Sequence, residues 1–272
     1  MTSTPLQHSR TNSRKVSNFI LTVLGTASAV PIADRNPSAQ VLNVHGRLFL
    51  IDCGEGTQQQ FRRLHLSFLK VEAIFLSHIH GDHCLGIFGL LSTMSMYGRT
   101  QPLRIFAPRA FGPILKFYQS YFGADDTFQV EHVVLDAKEP QEILSVGELS
   151  VSTFPLRHKI ECYGFGFTYR GNYAYAYCSD TAPFPELSTW VKGVKYLYHE
   201  CTYTREHAEK AVARYHSVTD DAARCALEAG AERLVIGHYS SRVRDLSQFQ
   251  RECQETFPET VAANDGDVFE IY

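Results

Sequence analysis

Residues Ala73 to Ser77 form an apolar run that leads without a break into His78-Ile79-His80-Gly81-Asp82-His83. No other feature of the chain constrains its fold as tightly. A short apolar run of this kind reads as a buried strand. In extended chain, residues two apart point the same way, so His78 and His80 face one point together. Gly81 permits a sharp turn that returns Asp82 and His83 toward a neighbouring point. Three imidazoles and a carboxylate suit zinc best, and manganese or iron less well. The bland alternative, a polar loop of hydrogen-bonded histidines, leaves four ligand types at fixed spacing unexplained.

Three more ligand types stand where apolar strands should end. His158 follows Val151 to Leu156, Asp180 follows Tyr175 to Ser179, and His238 follows Leu234 to Gly237. Each is a polar side chain at a strand exit, where a sheet can hold it rigidly at a shared rim. Taken singly, each reads as an ordinary loop residue. Together with the first cluster they supply seven side chains for two metals. Asp180 is the natural bridge, because a carboxylate has two oxygens to share.

The remaining chain sets the frame for this site. At 272 residues it can bury a sizeable core in one domain. Phe19-Leu24, Gln40-Val44, Arg47-Ile51, Ala73-Ser77, Arg104-Ala107, Phe128-Leu135, Leu149-Phe154, Gly164-Tyr169 and Ala174-Cys178 read as strands. Further strands are expected at 194–198, 233–237 and 267–271. Helices are expected at 84–98, 109–122, 205–215, 218–229 and 246–255. Strand runs mixed with helices imply two sheets covered by helices on their outer faces, over residues 19–272. Residues 1–18 are polar, with Arg10, Arg14 and Lys15 and no acid. They read as a disordered tail and lack the apolar core of a secretory signal. No apolar run approaches the ~20 residues that span a bilayer. The net charge of −3 offers nucleic acid no general attraction, so such a partner needs a local basic patch. Seven cysteines without a CxxC pair imply reduced thiols and a cytoplasmic setting.

The order HxHxDH, His, Asp, His resembles the metallo-β-lactamase superfamily, and the finer motifs resemble ribonuclease Z, the tRNA 3′-processing endonuclease. Leu24 to Pro31 is similar to that family's opening strand and loop. Pro31-Ile32-Ala33-Asp34-Arg35-Asn36 resembles its PxKxRN loop, with Ala33 in place of lysine. Asp52 to Gln58 matches its DCGEGTQ stretch. His199-Glu200-Cys201-Thr202 resembles HEAT, His216-Ser217-Val218-Thr219 resembles HST, and Gly237 to Arg242 resembles the final ligand motif. The resemblance covers residues 19 to 271 and implies an α/β fold, the αββα sandwich.

By that resemblance one metal takes His78, His80, His158 and Asp180, and a second takes Asp82, His83, Asp180 and His238. The resemblance implies two Zn2+ per chain, with Mn2+ as the substitute. Asp52 and His199 are expected to back the ligands. Asp82 is expected to steer the attacking hydroxide, His216 to protonate the leaving oxygen, and Glu200 to orient His216. Arg35, Asn36, Ser240 and Arg242 are expected to meet the substrate. The implied activity is cleavage of the 3′ trailer of precursor tRNA by a homodimer, with no membrane partner. The apolar, Met-containing segment 84–98 can serve as the dimer interface.

One departure bears on substrate. In ribonuclease Z a long arm that grips tRNA is inserted between the ligands here numbered His158 and Asp180. Only 21 residues separate them in this chain, and they read as strand, Arg170-Gly171-Asn172 turn, strand. Two other readings therefore stand beside the tRNA enzyme. One is a phosphodiesterase of the same fold acting on small diesters such as cyclic nucleotides. The other is a non-catalytic interaction subunit, for which lost ligands are expected and none is lost.

Overall fold

The computed structural model describes residues 17–30, 32–123, 126–243 and 245–272. Most of the expected tail, and Pro31 of the PxKxRN-like loop, lie outside the described residues. The strands form two sheets. The first holds β1 (Phe19–Gly25), β2 (Ala39–Val44), β3 (Arg47–Ile51), β4 (Val71–Phe75), β5 (Leu103–Pro108) and β6 (Val130–Leu135). The second holds β7 (Gln141–Val146), β8 (Leu149–Pro155), β9 (Tyr163–Tyr169), β10 (Asn172–Cys178), β11 (Tyr196–Glu200), β12 (Arg233–Gly237) and β13 (Thr260–Ala262). The last strand, β14 (Val268–Glu270), returns to pair with β1.

Period-two patterning decides which face each residue takes. In β3, Phe49 and Ile51 face the second sheet, and Leu48 and Leu50 face the opposite way. In β4, Ala73 and Phe75 point inward and Ile74 outward. Phe165, Phe167, Tyr175 and Tyr177 answer from the second sheet. Burying one such side chain is worth about 1.5–3 kcal/mol, so this inner layer is a major part of the fold's energetics. The helices α1 (Thr57–Arg63), α2 (Gly81–Cys84), α3 (Ile87–Met96) and α4 (Phe111–Tyr121) lie on the first sheet's side of the molecule. On the side of the second lie α5 (Pro185–Trp190), α6 (Ala208–Arg214), α7 (Thr219–Ala229) and α8 (Leu246–Gln254). The result is the expected αββα sandwich. No helix of the described residues is long and apolar enough to cross a membrane.

Several elements differ from the sequence reading. The helix expected over 84–98 is broken into α2 and α3, because the Gly86 amide donates to Cys53 O at 2.9 Å and not to a helical carbonyl. A Cβ at Gly86 would sit 2.0 Å from Gly54 O, so this close approach requires glycine. The expected strand Ala73–Ser77 leaves the sheet after Phe75. Its continuation is held by the Leu76 amide on Phe106 O and by the Ser77 amide on the Asp52 carboxylate. The expected helix 205–215 is a 3-10 turn over Arg205–His207 and α-helical as α6 from Ala208. β7, β13, α1 and α5 were not anticipated. β7 is a largely exposed strand, α1 opens on the left-handed Gly56, and β13 is three residues long.

The β9–β10 hairpin positions the second sheet's ligands. Tyr169 pairs with Asn172 across a turn of Arg170 and Gly171, both at positive φ (52° and 78°). Two left-handed residues make the turn whose twist matches a two-residue hairpin. The backbone passes from one strand to the next with no room for an inserted segment.

Candidate metal centre

The seven strand-exit ligands meet at one rim of the sandwich, His78, His80, Asp82 and His83 from the first sheet and His158, Asp180 and His238 from the second. Both sheets are therefore needed to build the site.

They fall into two groups. His78 Nε2 lies 3.0 Å from His80 Nδ1, and His158 Nε2 lies 3.2 Å from that same His80 Nδ1. Asp180 Oδ2 is 3.5 Å from His78 Nε2 and 3.7 Å from His158 Nε2. In the second group His83 Nε2 and His238 Nε2 are 3.2 Å apart. Asp82 Oδ2 stands 3.6 Å and 3.3 Å from those two nitrogens. Asp180 Oδ1 stands 3.4 Å and 3.2 Å from them. The two oxygens of Asp180 thus face the two groups, one each.

Hydrogen bonds behind the ligands fix which ring nitrogen faces inward. Nδ1 of His83 donates to Asp52 Oδ2 at 2.8 Å. Nδ1 of His158 donates to Tyr215 O at 3.0 Å. The Thr202 hydroxyl donates to Glu200 Oε2 and so accepts from Nδ1 of His238 at 2.8 Å. The Ser77 hydroxyl donates to Asp52 and accepts from His78 Nδ1 at 3.0 Å. Each proton placed outward leaves a lone pair on the inward Nε2. Lone pairs facing lone pairs repel, and only a cation between them makes the arrangement favourable. Asp180 Oδ1 is also buried without a hydrogen bond, although His238 Nε2 is within ion-pair distance. Ligands about 2.0–2.1 Å from a tetrahedral zinc are roughly 3.3 Å apart, which is the spacing seen in both groups. The residues fit a pair of divalent ions.

Asp52 is the main support of the first sheet's ligands. It sits at φ 54° just after β3, wholly buried. Its carboxylate accepts from the Ser77 amide and hydroxyl, His83 Nδ1 and the Tyr177 hydroxyl. His238 also has a left-handed backbone, φ 65°, and the bridge between Ala27 and Tyr239 clamps the residue after it.

Beside the ligands lies a second pair. His216 Nδ1 stands 3.0 Å from Glu200 Oε1 and 4.0 Å from Asp180 Oδ2. Burial pulls the His216 imidazole down, but the Glu200 and Asp180 carboxylates prevail and hold it up to about 9. Burial likewise raises Glu200, and the His216 charge overcomes this and holds the carboxyl low. His78, crowded by burial and then by His83, is kept well below the ordinary imidazole range.

The ligands and His216 open onto a cavity of about 580 Å³. Ser240 and Arg242 line it, together with Arg214 and Ser28. Arg35 and Asn36 do not. Arg35 lies over the Tyr239 ring at 5.5 Å, and the amides of Asn36 donate to Asp265. That loop is anchored to the fold through Asp265. His199 is not against the ligands either. It points to the outer face of the second sheet, because β11 alternates and Glu200 takes the inner position. Sequence reading missed Ser77, Tyr177, Thr202 and Arg214. Ser77 and Thr202 stand beside motif residues, which is the one signal that could have flagged them.

Comparison with known proteins agrees with this geometry. A sequence model described as Beta-lactamase superfamily domain matches residues 47–239. Ribonuclease Z of Bacteroides fragilis is 33% identical over 299 residues, covering 92% of this chain and 98% of that protein. Ribonuclease Z of Bacteroides thetaiotaomicron is 34% identical over 299 residues, covering 92% and 95%. These alignments are longer than this chain's 272 residues, so both relatives carry residues that have no counterpart here. Among solved structures, the short form of human tRNase Z is 27% identical with a TM-score of 0.81, covering 93% of this chain and 99% of that one.

Proposed function

Because the chain belongs to the ribonuclease Z family, we propose that it is a metal-dependent endoribonuclease that removes the 3′ trailer of precursor tRNA. The observation that carries this reading is the Glu200–His216 pair beside two complete ligand groups. A metal site for binding alone has no use for a buried carboxylate that holds a protonated imidazole at its edge.

His78, His80, His158 and Asp180 would hold one ion, and Asp82, His83, Asp180 and His238 the other, with zinc the best match to three imidazoles and a carboxylate. Divalent ions held there would supply a hydroxide at neutral pH and neutralise phosphate charge. The chain's own groups do the rest. Asp82 would steer the attacking hydroxide, and Asp180 would face both ligand groups. His216 donates Nδ1–H to Glu200, which leaves the Nε2 proton free for the leaving 3′ oxygen. Glu200 keeps that ring charged and oriented. Arg242 and Ser240 line the cavity where flanking nucleotides would pass.

We read the partners in the same way. Seven free, buried cysteines suit a reducing compartment, which supports the cytoplasm. Phe117, Tyr121 and Phe122, at the end of α4, leave clustered aromatic side chains exposed, and a second copy of the chain would cover them.

The two-residue turn between β9 and β10 favours a second reading of the same chemistry, hydrolysis of small phosphodiesters. Cleavage of a precursor tRNA, with the 3′ product mapped, set against a small chromogenic diester, decides between them. On the tRNA reading, the precursor loses its 3′ trailer. Binding is expected to be weak with a shallow salt slope, since few phosphates are neutralised without an arm. Turnover of the chromogenic diester with no cleavage of tRNA would overturn it.

A further inference from the structure

A second cavity, of about 260 Å³, lies away from the metal centre, between α5 and α7 on the outer face of the second sheet. Pro183, Phe184 and Leu187 form its apolar wall, and Asp221, Arg224 and Glu228 of α7 face them. His199 of β11 lines it while being only 1% exposed. Its Nδ1 stands 2.7 Å from the Glu200 carbonyl oxygen. A carbonyl can only accept, so Nδ1 carries the hydrogen and Nε2 of the neutral ring presents a lone pair. No described residue hydrogen-bonds to that nitrogen. That acceptor is therefore left for a donor that enters the cavity.

The geometry points to a nucleobase-binding site in this cavity, with a base N–H donated to His199 Nε2. Shape, chemistry and charge each support that class of ligand. The wall is a flat phenyl ring flanked by prolines, which suits a planar heteroaromatic. The Phe184 ring is backed by the Arg157 guanidinium at 4.9 Å and by the edge of Trp190 at 5.5 Å, so it is held as a platform. His199 Nε2 is an acceptor with no protein donor among the described residues, and every base offers an N–H. Two carboxylates against one guanidinium on α7 disfavour an anionic group inside, so a phosphate is excluded and a neutral base is not.

The base can come from two sources, a free nucleobase or the strand being cut. The second rests on the nuclease reading above. Pro183 is three residues from Asp180, so their Cα atoms are at most ~11 Å apart along the chain. A base in the cavity and a phosphate at the metal centre can thus belong to one strand.

Trp190 is the chain's single tryptophan and touches the platform, so its fluorescence reports on the cavity without any nuclease assay. Titration with 9-methyladenine should quench it saturably. 9-Methyl-N6,N6-dimethyladenine, which has no N–H, should bind about tenfold more weakly, the effect of one lost hydrogen bond. His199→Leu, with its fold checked by thermal melting, should bind the two analogues equally. Should that variant not fold, Ser188→Phe, at the cavity wall, should abolish quenching by both. Linear, unsaturable quenching, or equal binding of the analogues to the unaltered protein, would overturn the proposal. Short RNA substrates with one abasic position at a time then separate the sources. A position whose base loss raises KM about tenfold in the unaltered protein but not in His199→Leu places the strand's own base in the cavity. Saturable quenching with no such position assigns it to a free base.

Discussion

Oε1 of Glu200 lies 3.0 Å from Nδ1 of His216, and the same buried carboxylate also accepts from the amides of Thr181, Thr202 and Ser217 and from the Thr202 hydroxyl. Five donors on one carboxylate fix its position and keep it ionised. Glu200 thus anchors His216 to the second sheet, and through Thr202 it also orients His238.

If His216 acts as the acid, the charge of Glu200 should set the alkaline limit of activity. His216 is held above its ordinary value, so its proton persists below that raised value and is lost as pH rises through it. Glu200→Gln removes the leading upward cause. The alkaline fall in turnover on a substrate with a poor leaving group should move to lower pH. An unchanged pH–rate profile would remove Glu200 from this role.

His216→Ala should lower turnover by about 10²-fold or more on a substrate with a poor leaving group. The loss should shrink on a diester whose leaving group needs no proton, with metal content unchanged. Equal losses on both substrates would mean that His216 holds the fold and not the proton.

Mutation should separate the two metal positions. His80→Ala removes a ligand of one group only, whereas Asp180→Ala removes an oxygen from both. Metal analysis of purified protein should find two ions in the unaltered chain, a loss confined to one ion in the first variant, and losses at both positions in the second. Activity should be abolished in each. A fully loaded protein with a single ion would count against the two-group reading.

Phe117→Asp places a charge among the exposed aromatics of α4. If a second copy covers that face, sedimentation should shift from dimer to monomer while the melting temperature of the isolated chain stays close to its original value. A monomer before the substitution, or a dimer after it, would direct attention to another surface.

Much of the site was legible because its ligands follow strands. An apolar run that ends in a ligand declares both the element and the direction of the side chain, and His78, His158, Asp180 and His238 were each found that way. Supporting residues were harder to find. Tyr177 reads as a core tyrosine of β10 until the fold sets its hydroxyl 2.6 Å from Asp52, across the two sheets. No local pattern encodes that distance. Nor does the motif around Asn36 announce that Asp265, 229 positions later, takes its backbone and side-chain amides. The break between α2 and α3 was hidden for the same reason. Gly86 looks tolerable inside a helix until Cys53 O takes its amide. Periodicity reports what one element does alone, and these features depend on which second element arrives.

The distribution of ligands over both sheets gives the ions a mechanical office as well as a chemical one. Asp180, from the second sheet, faces ligands of the first in both groups, so each ion would act as a rivet across the sandwich. A rivet that engages only the assembled halves stabilises them by mass action, about 2.7 kcal/mol for each ion present at a hundred times its dissociation constant. Stripping the ions would then loosen the seam at this rim before it touches the sheets themselves. The chain's resistance to proteolysis would track metal supply, and loss of catalysis and vulnerability to degradation would arrive together.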